Sequence, residues 1–117
     1  VTVYGAPASS TNPATWTTYD AVVGGRIGDG YGVMLGGGLG CWDFDHCIVD
    51  GRVSPEVVEL LRSIERPLWV ERSVSGEGLH VFVRAAEAPG WKRGRVEFYS
   101  RARFIRFTGD RFAVEGL

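Results

Sequence analysis

From Pro67 onward the hydrophobic pattern has period two, and this limits the fold more than any other feature of the chain. The runs "PLWVERSVS", "GLHVFVR", "RVEFYS", "RFIRFTG" and "RFAVEG" are rich in β-forming residues and are separated by Gly, Ser and Pro clusters. Successive side chains of a strand point to opposite faces, so these runs predict short strands of a mainly antiparallel sheet. A chain of 117 residues suits one domain with a real core.

The first half reads differently. Asn12-Pro13 offers an N-cap followed by proline at the first helical position, and Trp16, Tyr19 and Val23 follow at i, i+3 and i+7 before Gly24-Gly25. That spacing predicts a short amphipathic helix. Two strands, Tyr31 to Leu35 and Leu39 to Asp45, flank Gly36-Gly37-Gly38 and are expected to form a hairpin. Ser54-Pro55 repeats the helix-start signal, and Val57, Val58, Leu60, Leu61 and Ile64 give a second helix an apolar face that ends before Pro67. The expected class is α+β, with helices packed on one face of the sheet.

Charge and apolar runs exclude some functions. No apolar run approaches a membrane span, and no charged segment precedes an apolar one as in a signal peptide, so a cytoplasmic protein without membrane partners is expected. Cys41 and Cys47 are too few for a disulfide framework and read as reduced core thiols. The net charge of −1 gives no argument for nucleic acid, but Lys92, Arg93, Arg95, Arg101, Arg103, Arg106 and Arg111 crowd the last quarter. Such a cluster suits a phosphate-bearing partner, although a solvated face is the commoner cause.

The segment "GCWDFDHC", Gly40 to Cys47, carries two aspartates within an otherwise buried strand. Alternation puts Cys41, Asp43 and Asp45 on one face and Trp42 and Phe44 on the other. Two carboxylates roughly 7 Å apart along a strand can converge on a divalent cation, which removes the repulsion between them. Taken alone the pattern is unspecific, since Asp-x-Asp occurs by chance and in calcium loops.

Two further stretches add to it. In "SVSGEGLHVFV", Ser73, Ser75, Gly76 and Gly78 form a turn whose backbone N–H groups could approach an anion, and His80 opens the next strand as a donor to phosphate. Alone, this reads first as a β-turn before a satisfied histidine. In "RVEFYS", Glu97 shares a face with Tyr99 while Val96 and Phe98 point inward, which supplies the third carboxylate of a two-metal site.

Together, "ASSTNPATWTTYD", "GCWDFDHC", "SVSGEGLHVFV" and "VEFYSRARFIRFTG" resemble the N-terminal primase/polymerase (prim-pol) domain of phage and plasmid replication proteins, within the archaeo-eukaryotic primase superfamily. The similarity runs from about Ala8 to Gly109, and the ordered set is more specific than any one motif. The resemblance implies a compact primase catalytic core related to the RNA-recognition fold. Residues 1–117 would then be one catalytic domain excised from a longer replication protein. It casts Asp43, Asp45 and Glu97 as ligands of two Mg2+ or Mn2+ ions and His80 as the histidine that contacts the incoming triphosphate. The superfamily often writes Ser-x-His where this chain has Gly78 two residues before His80, so a serine hydroxyl must come from Ser73 or Ser75.

The function so implied is template-directed nucleotidyl transfer, as a DNA primase and polymerase, with nucleoside triphosphates, a single-stranded DNA template and a primer as partners. Ser73, Ser75, Gly76, Gly78, His80 and Arg103 are the expected nucleotide contacts, and Arg93, Arg95 and Arg101 the expected DNA contacts. No P-loop is present, so helicase action is expected from another domain or protein. A non-catalytic single-strand-binding module stacking bases on Tyr99, Phe104 and Phe107 is one alternative. A metal-dependent nuclease is another, weakened at this level because Lys92, the nearest lysine to Glu97, reads as lying in a loop.

Overall fold

A computed structural model describes residues 7–21 and 30–113. It shows an α+β fold dominated by antiparallel strands. The strands are β1 (Tyr31–Leu35), β2 (Leu39–Phe44), β3 (Ile48–Val49), β4 (Arg52–Val53), β5 (Trp69–Arg72), β6 (Leu79–Arg84), β7 (Trp91–Arg93), β8 (Val96–Tyr99) and β9 (Arg103–Phe107). Helix α1 spans Pro55–Ser63. Five strands form the main sheet in the order β5-β6-β2-β8-β7, every neighbour antiparallel, with β2 at the centre.

Alternation along these strands divides the sheet into two unlike faces. On one face Phe44, Leu79, Val81 and Val83 are buried with Leu61 of α1, and Val57 and Ile64 pack beside them. These helix positions recur at i, i+4 and i+7, the stripe that a core-facing helix requires. Leu60, off that stripe, is exposed. Leu61 is fully buried, and its removal from water contributes about 2 kcal/mol. Ser54 precedes the helix without a side-chain cap, and its carbonyl accepts the first helical bond from Val58 N–H at 3.0 Å.

The other face is covered over part of its length by a ribbon of β1 and β9, which pair from Tyr31↔Phe107 to Leu35↔Arg103. Leu35 and Ile105 of the ribbon bury Cys41 and Phe82 of the sheet, with Trp69 and Tyr99 alongside. Trp69, Phe82, Cys41 and Tyr99 are cross-strand partners and make one apolar row. Two residues further along each strand, the next row on this face is Glu71, His80, Asp43, Glu97 and Lys92, one residue from each strand in sheet order.

Several expectations are corrected. The hairpin expected between β1 and β2 is a single bridge: Gly36 and Leu39 exchange backbone bonds of 3.0 and 3.2 Å around Gly37-Gly38, whose φ values of 62° and 103° favour glycine. Beyond it the strands part, because β6 and β8 already occupy both hydrogen-bonding edges of β2. Helix α1 packs on one face of the sheet, and the β1–β9 ribbon lies on the face opposite it.

At the N-terminus, Asn12 caps a three-residue 3-10 turn, Pro13–Thr15, through Ala14 N–H; Trp16 is extended and ends it. Val23 and Gly24-Gly25 of the expected helix lie outside the described residues. In the last predicted strand, Arg111 forms one bridge to Glu71, and residues 114–117 lie outside the described residues. Lys92 is in strand β7 rather than a loop. No described helix is long and apolar enough to cross a membrane.

Candidate metal centre

The polar row contains two of the acids singled out by sequence, and the third lies just beyond it. Asp43 and Glu97 are direct cross-strand partners, and Asp45 follows Asp43 on the same face just past the end of β2. Asp45 keeps its place because its N–H bonds the Arg95 carbonyl at 2.8 Å before His46, at φ 49°, turns the chain away. One carboxylate oxygen from each of Asp43, Asp45 and Glu97 lies within 4.8 Å of the other two. Trp42 and Phe44 anchor the same strand from the opposite face, stacked at 6.0 Å between ring centroids.

The carboxylates of this triad repel one another, and nearby cations offset this in part. Asp43 is held above its usual carboxylate pKa by burial first, and then by repulsion from Asp45 and Glu97, which attraction to His80 and Arg103 opposes. Glu97 accepts from the Tyr99 hydroxyl at 3.1 Å, and Lys92 Nζ stands 3.7 Å from its Oε1. The hydroxyl of Tyr99 is held on its proton by burial and by its bond to Glu97. Three hard oxygen donors that repel one another suit Mg2+ or Mn2+. Cys41 lies on the same face, but burial foremost, with Asp43 adding, pushes its thiol far above the ordinary range. Soft sulfur also suits Mg2+ or Mn2+ poorly, which leaves Cys41 out of the ligand set. Burial likewise raises Cys47 to about 11.

His80 is 6% exposed and sits between two carboxylates: Nδ1 is 3.0 Å from Glu71 Oε2, and Nε2 is 3.9 Å from Asp43 Oδ1. Glu71 was not foreseen. Its burial would raise its pKa, but hydrogen bonds from His80, the Thr108 N–H, the Trp69 indole and the Gly109 N–H overcome this and hold it below its usual value. The sequence held a signal for it. A turn across 73–78 makes Arg72 the partner of Leu79, and counting back one position sets Glu71 opposite His80.

The turn before His80 is closed on itself. Gly76 N–H bonds Ser73 O at 2.9 Å, Glu77 N–H bonds Ser75 Oγ at 3.2 Å, and Gly78 N–H bonds Ser73 Oγ at 3.1 Å. These donors brace the turn and fix where β6 enters the row. A Cβ at position 78 would lie 2.7 Å from the Phe44 carbonyl oxygen and 3.0 Å from Ser73 Oγ. Serine therefore does not fit where the superfamily often has it, and the Ser73 hydroxyl lies beside that position.

The arginines divide. Arg103 packs over the Tyr99 ring at 4.3 Å and acts on Asp43, so it belongs to the site. Arg95 and Arg101 are exposed in the bends at either end of β8. Arg95 reaches the His46 carbonyl at 3.5 Å, and Arg101 lines a hollow of about 490 Å³ with Trp16 and Glu87. Arg93 stacks on Trp91 at 5.6 Å, and alternation on β7 puts it on the face opposite Lys92, away from the acids. Of the rings considered for base stacking, Tyr99 lies under Arg103, and Phe107 packs against Trp69 and Phe82.

No family model matches the chain, and no curated protein matches it.

Proposed function

We propose that this chain is a metal-dependent nucleotidyl transferase of the primase/polymerase class, joining nucleoside triphosphates to a primer on a single-stranded DNA template in phage or plasmid replication. The observation that carries the reading is the convergence of Asp43, Asp45 and Glu97, oxygens within 4.8 Å, on the sheet face that carries His80. An antiparallel sheet with the acids on one face and α1 on the other suits a compact primase core related to the RNA-recognition fold.

Asp43, Asp45 and Glu97 would hold Mg2+ or Mn2+. When bound, these cations neutralise charge on the α-phosphate and pyrophosphate and lower the pKa of the attacking 3′-hydroxyl. His80 Nε2 and Arg103 face the phosphate chain, Arg103 as a fixed charge held by Tyr99. The Ser73–Gly78 turn acts by setting His80 rather than by cradling phosphate. Arg95 and Arg101 are left as the template or primer contacts. Arg93, on the far face, drops out of that groove.

One observation favours a second reading. Lys92, 3.7 Å from Glu97, gives the acids the neighbouring ammonium that a metal-dependent nuclease could use. Labelled primer-template incubated with Mg2+ or Mn2+ and nucleotides separates the two, with an Asp43→Ala/Asp45→Ala double variant as control. Lengthening that vanishes in the double variant supports the transferase, and shortening that vanishes there supports the nuclease. Extension surviving in both single alanine variants would sink the metal assignment. Neither change in length, with DNA binding kept in the double variant, would leave a binding module.

A further inference from the structure

Glu71 is fully buried, and the mechanism above does not use it. Its carboxylate accepts from the Trp69 indole N–H at 2.9 Å, the Thr108 N–H at 2.9 Å and the Gly109 N–H at 3.2 Å, which clamp it from β5 and from the segment after β9. The remaining contact is His80 Nδ1 at 3.0 Å. An ionised carboxylate only accepts, so Nδ1 must be the nitrogen that carries a proton to it. The ring is 6% exposed and packs T-shaped against Phe82 at 6.5 Å between centroids, which helps to hold it in place. Nε2 is thereby committed to the other side, 3.9 Å from Asp43 Oδ1.

We infer that Glu71 is a positioning residue: by taking the Nδ1 proton of His80 it fixes the imidazole so that Nε2 alone meets the phosphate chain of a nucleotide bound beside Asp43. The nucleotide part of this inference rests on the transferase reading, whereas the fixing of the ring does not. Carboxylates that orient metal-ligating histidines in the same way are worth about 10–100-fold in affinity or activity, which sets the scale expected here.

Two measurements test it. Nitrogen-15 ring spectra of the unmodified chain report which nitrogen of His80 is protonated, without any substitution. A protonated Nδ1 is expected, and an unprotonated Nδ1 overturns the proposal even if the chain extends primers. The second is a cycle of Glu71→Gln with His80→Ala, read as KM for nucleotide and kcat in primer extension. Glu71→Gln is expected to raise KM about tenfold with kcat within about threefold. The same change made on His80→Ala should then leave KM unmoved. Equal losses in both backgrounds would assign Glu71 a merely structural part and overturn the proposal. If the unmodified chain extends no primer, the transferase reading falls while the ring spectrum still decides the role of Glu71.

Discussion

Glu71 and Asp43 flank the same histidine in the same cross-strand row, yet their surroundings oppose one another. Glu71 has no exposure, four hydrogen bonds and a pKa held down. Asp43 is less buried, stands among two other carboxylates, and has its pKa pushed up. Burial raises both, so burial does not decide the sign; the count of donors does. One end of the row is closed and complete, and the other gathers carboxylates that repel one another. That asymmetry supports the proposed metal site at the acidic end.

The strongest way to break the comparison is at its closed end. Glu71→Ala leaves the donors of Trp69, Thr108, Gly109 and His80 without their acceptor, and a loss of about 3–5 kcal/mol is expected in urea unfolding. A loss below about 1 kcal/mol would show that the carboxylate is not the clamp described.

At the acidic end the sign should reverse. Asp43→Asn removes repulsion, so the metal-free variant is expected to melt above the wild type, by about 1 kcal/mol of added stability. Saturating Mn2+ should stabilise the wild type by about 2.7 kcal/mol at a hundredfold excess over Kd, and Asp43→Asn by far less. A variant that still gains as much from Mn2+ would remove Asp43 from the metal site.

Acid titration of stability sharpens the contrast further. Glu71, lowered from 4.5, stabilises the fold above that pH and loses its contribution as pH falls through its folded pKa. The deficit of Glu71→Gln should therefore shrink on acidification. Asp43, raised from 3.8, contributes fully below that pH and loses its contribution as pH rises through its folded pKa. The advantage of Asp43→Asn should therefore grow between acid and neutral pH. Parallel pH profiles for the two variants would contradict the asymmetry.

The smallest effect belongs to Lys92. Its side chain is 61% exposed, so Lys92→Ala should change stability by less than about 1 kcal/mol. Loss of cleavage in that variant, with metal affinity retained, would promote the nuclease reading over the transferase.

Much of this was legible from residue order. Helix α1 and strands β5, β6, β8 and β9 lie where period and punctuation place them. The β3–β4 hairpin was overlooked although Asp50-Gly51, at φ values of 52° and 76°, is a strong signal for a two-residue turn. All three residues of strand β7 are exposed, and the strand closes through Gly94 at φ 59°, so it lacks the alternation by which strands are read. Its absence from the reading hid the contact of Lys92 with Glu97.

The sequence by itself determined what depends on neighbours along the chain: the opposition of Asp43 and Asp45 to Trp42 and Phe44, the turn before His80, and the apolar stripe of α1. These follow from the two-residue and 3.6-residue periods of the backbone. Only the tertiary structure decided which strands share an edge. Pairing of β5 with β6 put Glu71 against His80, pairing of β7 with β8 put Lys92 against Glu97, and the full edges of β2 sent β1 to β9. Backbone donors and acceptors are alike at every residue, so the choice of partner rests on packing between segments far apart in the chain.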